Sequence, residues 1–296
     1  MPTDIDALLD AHGSACSRSI LLGVLGRNAL DHEVRQGRLV RVFPRAYARP
    51  WDADRVEVRE VAAVCSAGPE ATLSHLSALR RWGVAKVAED ARVHVSVPPT
   101  RHPRGSAGLV IHRPRRAREA LVRDGVPVVR LDDALIDSWR VLPGESRRAA
   151  VITAVQRRLT SPSRLRASSA GAAPELRRLI DLLGAGCRSE LELWGYLNVF
   201  DPPDLRVASR QRAVTVGRRR VYLDLAYEDA RVAVELDGRA FHADAKSWER
   251  DIARDLMLAT AGWQTVRFSH RRLTRDPAGC RRDLRAVLAG RRIASS

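Results

Sequence analysis

The spacing of apolar and polar residues predicts a chain that opens with short helices and closes with a mixed helix and strand segment. DIDALLDA, residues 4–11, reads as a brief amphipathic helix, and residues 17–22 as a second, stopped near Gly26. In NALDHEVRQ, residues 28–36, Leu30 and Val34 fall at i and i+4, so one face is apolar and the other polar. Gly37 suits the residue just past the helix end. RLVRVFPRAYARP follows, setting Leu39 and Arg41 against Val40, Val42 and Tyr47 with a turn at Pro44-Arg45, the pattern of a basic β-hairpin. Helix, turn, helix and hairpin is the order of a winged helix, whose last helix enters the major groove while the wing touches phosphate.

The periodicity then divides the chain further. Residues 53–165 form a mixed middle region with strands near Arg92–Val97 and Leu109–His112, and with basic loops at RHPRGS and residues 113–118. Residues 166–187 lie in a run rich in Ser, Ala and Gly, read as a linker or connecting helix. In residues 188–296, SELELWGYLNVF predicts a helix with a capping box, Ser189 at the N-cap and Glu192 at N3. VYLDLAYEDARVAVELDG predicts two strands turning at Glu228-Asp229, with a further strand before them in residues 208–216. From Lys246 to Ala261 the apolar residues Ile252, Leu256 and Ala259 repeat at helical spacing, and Gly262 closes that helix. WQTVRF is a strand anchored in the core by Trp263, and CRRDLRAVLAG a last helix. The order is αβββαβα. The predicted fold class is therefore α/β and α+β: a winged helix-turn-helix over residues 1–52, the mixed middle region, and a C-terminal α/β domain.

Composition narrows the function. No apolar run reaches the roughly 20 residues of a membrane-spanning helix, and the acidic N-terminus lacks a signal-peptide pattern. A cytoplasmic protein with no membrane partner is expected. The four isolated cysteines form no CxxC pair and suggest neither a zinc knuckle nor a disulfide framework. A net charge of +16 and a pI of about 11.1 point to a polyanion such as nucleic acid. Nearly all of that charge is arginine, Lys86 and Lys246 being the two lysines, and a G- and C-rich genome writes arginine whatever the function. Local pattern must decide.

The informative pattern is VELDGRAFH, Val234–His242. Stripping water from ionised carboxylates costs several kcal/mol or more unless they are paired or metal-bound, yet Glu235 and Asp237 share a β-branched strand. A turn at Glu228-Asp229 pairs residues whose numbers sum to 457, so Asp224 opposes Ala233 and becomes a diagonal neighbour of Glu235, roughly 5–8 Å away. Alternation then collects Asp224, Glu235 and Asp237 on one face and Val221, Leu223, Leu225, Val232, Val234 and Leu236 on the other. Carboxylates that close accommodate a hard cation such as Mg²⁺ or Mn²⁺, with water and phosphate oxygens completing its shell. The competing reading is an acid face paired with arginines. In ERDIARD, Arg250 and Arg254 alternate with Asp251 and Asp255 at i and i+4, which predicts ion pairs along one helix.

Two resemblances extend this reading. GRNALDHEVRQGRLVRVFPRAYA resembles the N-terminal winged-helix domain of AbiEi-family antitoxins from type IV toxin–antitoxin systems. SHLSALRRWGV, VHVSVP and DGVPVVRLDDALIDSW resemble the segments that follow in those proteins. Covering most of residues 1–160, this likeness implies binding to duplex DNA, with promoter control and a toxin partner protein, and contributes no catalytic residue. DLAYEDARVAVELDGRAFH and ERDIARDLMLATAGWQTVRF are similar to the DUF559 domain over about residues 188–290. That domain belongs to the PD-(D/E)xK restriction-endonuclease-like group and is similar to very-short-patch repair endonucleases.

The second resemblance implies site roles. Asp224 matches the acid of the second core strand and Glu235 the acid of the D/E-x-K element. His242 matches a histidine of the repair endonucleases, and Glu192 the glutamate of the first helix, for which the capping box is the alternative role. Asp237 stands where many members have lysine and cannot supply its positive charge, leaving Lys246 and Arg250 as charge donors. The expectation is a DNA-binding protein with a Mg²⁺-dependent endonuclease-like domain, linked to phage defence or a toxin–antitoxin system. Asp224, Glu235 and Asp237 would hold the metal while His242 assists the attacking water. Arg35, Arg38, Arg41 and Arg45 would contact phosphates, and Asn28 and His32 read bases. The alternative is a non-catalytic transcriptional regulator or antitoxin.

Overall fold

A computed structural model describes residues 5–88, 90–115, 118–187, 189–205, 208–217, 219–237 and 245–293. They divide into two compact units, Met1–Leu176 and Arg177–Ser296. No helix among them is long and apolar enough to cross a membrane.

The first unit opens with α1 (Ile5–Ala11), β1 (Ala15–Ser17), α2 (Arg18–Leu25), α3 (Arg27–Arg35), β2 (Val40–Phe43) and β3 (Ala46–Ala48). Ser17 caps α2 by accepting from the Ile20 amide, and Gly26, at φ +78°, breaks α2 from α3. The strands form a small sheet in the order β1-β3-β2, and Leu9, Cys16, Leu21, Leu30 and Leu39 make the core. The face of α3 differs from the expected one. Leu30 is buried but Val34 is exposed; the second buried position is Glu33, which turns inward because Arg38 grips both its oxygens at 2.6 Å.

Next come α4 (Val56–Ala67), β4 (Thr72–Leu73), α5 (His75–Arg81), β5 (Val93–Ser96), β6 (Leu109–His112), β7 (Ala120–Arg123) and β8 (Val126–Val129). These strands make a mixed sheet in the order β6-β5-β4-β8-β7. The helices α6 (Leu131–Ser138), α7 (Gly144–Gln156) and α8 (Pro162–Ser168) follow, and α9 (Pro174–Gly184) spans the division between units.

The second unit contains α10 (Glu190–Gly195), which continues as a π-helical turn over Tyr196–Phe200, then β9 (Ser209–Val216), β10 (Arg219–Tyr227), β11 (Val232–Asp237), α11 (Ala245–Thr260), β12 (Gln264–Ser269), α12 (His270–Arg275) and α13 (Pro277–Ile293). Its sheet runs β12-β11-β10-β9, antiparallel except for the parallel β11–β12 pair. Leu225, Tyr227, Val232 and Val234 pack with Phe200, Phe268 and the apolar face of α13. On the opposite side Ala226 and Ala233 pack beneath Leu258 of α11, with Met257 and Trp263.

Three expectations are corrected here. The hairpin loop is Glu228–Arg231, with Arg231 at φ +50°, so paired residues sum to 459: Leu225 meets Val234 and Tyr227 meets Val232. Strict alternation fails at Asp224, because Val221 and Leu223 join Ala226 under α11 while Leu225 faces α13, leaving both faces of the sheet covered. On α11, Ile252 and Leu256 are 48% and 67% exposed; the helix packs through Met257 and Leu258 instead. An isolated pair of apolar residues at i and i+4 does not specify which face finds the sheet.

Candidate functional site

Strand pairing between β10 and β11 ends at Leu225 and Val234, and the side chain of Asp224 takes over. Its Oδ2 accepts from the Leu236 amide at 3.0 Å and its Oδ1 from Gln211 Nε2 at 3.2 Å. Gln211 holds the left-handed conformation at φ +46°, a strained backbone for a residue with a Cβ, on the strand beside Asp224. Extending the observed register by one pair places Asp224 opposite Glu235, closer than the diagonal the sequence implied.

Glu235 is buried, at 6% exposure. Burial, then the neighbouring Asp224 carboxylate, push its acid up to about 7, against the pull of Arg254 and Arg267. Arg254 Nη2 lies 2.8 Å from Glu235 Oε1, yet it is a third exposed and also donates to the Tyr222 carbonyl, so burial outweighs it. Asp237 is more exposed and accepts from Arg267 Nη1 at 3.2 Å; Arg267 also binds both oxygens of Asp255 on α11, at 2.9 and 3.1 Å. The ion pairs formed by Arg254 and Asp255 therefore run from helix to sheet, rather than only along the helix as ERDIARD suggested.

Glu192 comes together with Asp224: both line a small cavity with Cys187, Tyr196, Arg210, Leu225 and Leu236. The Ser189 hydroxyl caps α10 by accepting from the Glu192 amide. Arg210 lies over the Tyr196 ring at 3.6 Å and brings positive charge beside the two acids. His242 lies outside the described residues.

The donor set fits a hard divalent cation. Two carboxylates meet where the β10–β11 pairing ends, and burial, then Asp224, raise the acid of Glu235 to about 7. A cation such as Mg²⁺ needs only one or two carboxylates besides water and phosphate. Asp237, turned to Arg267, stands outside that pair.

In the first unit, Asn28, His32 and Arg35 lie along one exposed stripe of α3, at i, i+4 and i+7. Arg41 is exposed on β2, and Arg45, also exposed, closes the β2–β3 turn at φ +62°. Arg38 is committed to Glu33.

Sequence reasoning missed Arg267, Arg210 and Gln211. Arg267 is adjacent because β11 and β12 pair in parallel with Glu235 beside Arg267, a pairing that a motif on one strand does not reveal.

Residues 205–288 match the family model REase_MTES_1575, which indicates a restriction-endonuclease-like domain at the C-terminus. The match spans Asp224, Glu235 and Asp237. No curated protein matches the chain. Restriction-endonuclease-like domains typically use divalent metals, and a nuclease-like domain suggests nucleic acid as the partner.

Proposed function

We propose that the C-terminal unit is a divalent-metal-dependent endonuclease and that the first unit holds duplex DNA through a winged helix. The observation that carries the nuclease reading is the meeting of Asp224 with the buried, half-neutralised Glu235 inside a restriction-endonuclease-like domain. Asp224 and Glu235 would hold Mg²⁺ or Mn²⁺, which lowers the pKa of its water and offsets charge on the scissile phosphate. Gln211 and the Leu236 amide fix the Asp224 carboxylate, while Arg254 orients Glu235. Arg267 supplies the positive charge that Asp237 cannot, and Asp237 and Asp255 hold it in place. Glu192 supports from the Asp224 side, and His242 remains the residue proposed to take the proton from water.

Support for the winged helix comes from the order α1-β1-α2-α3-β2-β3, the sheet order β1-β3-β2, and the exposed Asn28-His32-Arg35 stripe. A role in phage defence or beside a toxin partner rests on the antitoxin resemblance. A second reading, a non-catalytic regulator binding promoter DNA and a partner protein, is favoured by the Glu235–Arg254 and Asp237–Arg267 ion pairs. Incubating plasmid DNA with the full chain and Mg²⁺ or Mn²⁺ separates the two. Metal-dependent nicking or linearisation that disappears in Glu235→Gln while DNA binding persists supports the nuclease. Intact plasmid with both metals, from a chain that binds DNA, sinks it.

A further inference from the structure

Three histidines far apart in sequence converge in the first unit. His75 opens α5, His94 lies in β5 and His112 ends β6. One ring nitrogen from each falls within 4.8 Å of the others; His94 Nδ1 is 2.9 Å from His112 Nε2, and the His75 ring stacks on His112 at 3.5 Å. β5 and β6 pair in parallel with Val95 beside Ile111, which carries His94 and His112 to the same end of the sheet.

The local backbone is bent to place the third ring. His75 sits at φ +46°, a left-handed conformation costly for a residue with a Cβ. Ser74, buried at the N-cap of α5, makes no side-chain cap; its hydroxyl meets His75 Nδ1 at 3.1 Å instead. That contact orients the ring. Metal-bound imidazoles are held in this way by a polar partner on the other nitrogen.

We infer that His75, His94 and His112 form a transition-metal site of the Zn²⁺ class, with Ser74 as a positioning residue. Three imidazole nitrogen donors suit Zn²⁺, Co²⁺, Ni²⁺ or Cu²⁺ and select against Mg²⁺ and Ca²⁺, which prefer oxygen. Ligands around a tetrahedral ion at ~2.0–2.1 Å stand about 3.3 Å apart, so small ring rotations convert the 2.9 Å contact into a coordinating pair. His75 and His112 are only partly buried, leaving the fourth position to water or a solute. The ion would tie the start of α5 to β5 and β6.

The test is titration of tag-free full-length protein with Zn²⁺ and Co²⁺ in excess Mg²⁺, followed by calorimetry and by the visible spectrum of bound Co²⁺. One ion per chain and an intense tetrahedral Co²⁺ spectrum are expected. Both should be retained in Glu235→Gln, which alters only the acid site. His112→Ala and His75→Ala should each weaken binding by at least about 100-fold, and Ser74→Ala by about 10-fold. Because His75 and His112 are partly exposed, their variants should keep the wild-type circular dichroism. If either fails to fold, the wild-type Co²⁺ spectrum decides alone: nitrogen-ligand bands support the site. A folded wild-type chain that binds neither ion, or whose binding survives His75→Ala and His112→Ala, shows three hydrogen-bonded neutral histidines and overturns the proposal.

Discussion

Glu235 concentrates the chemistry and the instability of the C-terminal unit in one side chain. Its acid stands near 7 where 4.5 is ordinary, so the folded chain keeps a proton that the unfolded chain has released. The sign follows from linkage. Stability supplied by neutral Glu235 is complete below about pH 4.5 and is lost as pH climbs through about 7, a swing of about 3 kcal/mol in the absence of metal. Glu235→Gln keeps the shape and removes the charge. With chelator at pH 8 it should therefore be more stable than wild type by about 1 kcal/mol, the remainder being offset because Arg254 loses its anionic partner. On the proposed function, Mg²⁺ should stabilise the wild type and not this variant. Urea unfolding at pH 5 and pH 8, with and without Mg²⁺, measures all of this; a variant less stable than wild type at pH 8 with chelator would refute the buried-acid reading. Metal affinity of the wild type should rise from pH 6 to pH 8, as Glu235 surrenders its proton.

Between elements, buried charge fixes geometry where apolar packing alone does not. Glu60 on α4 is 1% exposed and is held by both Arg80 and Arg81, with Arg80 Nη2 at 2.6 Å. Removing one partner of such a group leaves the others buried and uncompensated. Glu60→Ala should thus cost about 3–5 kcal/mol in a urea titration, far more than the loss of an exposed pair such as Arg285–Asp204. The network also marks how much the sequence could tell. The β10–β11 hairpin, the α11–β12 connection and the proximity of Asp224 to Glu235 were legible, because period-two patterning and a turn constrain strand pairing even when the register slips by two. Since two is an even number, the slip changed each residue's partner without by itself moving any residue to the other face of the sheet. The flip at Asp224 was not legible: a side chain replacing a ladder hydrogen bond leaves no mark in the hydrophobic pattern. Nor was the His75-His94-His112 cluster, since each histidine stands alone in sequence and only the order β6-β5-β4 gathers them.

At the scale of the molecule, the proposed binding of nucleic acid by a chain of net charge +16 should depend on salt, with the arginines contributing unequally. Arg35 and Arg41 are exposed near α3 and the β2–β3 hairpin, with Arg35 giving one bond to the Asp31 carbonyl. Arg38, equally exposed, spends its charge on a two-pronged pair with Glu33, which also serves the fold of α3. A phosphate competing for Arg38 would have to break that pair. Arg35→Ala and Arg41→Ala should each weaken binding evenly across duplex sequences and lower the slope of log K against log salt by about 1. Arg38→Ala should change the slope less and lower thermal stability more. Asn28→Ala and His32→Ala should act differently again, leaving the slope alone and reducing discrimination between sequences by about 1–3 kcal/mol per base contact. Fluorescence anisotropy with duplexes of varied sequence, repeated over a salt series, resolves these classes. Equal slopes for wild type, Arg35→Ala and Arg41→Ala would remove this face from the DNA-binding surface and shift the search to the basic loops of residues 101–115.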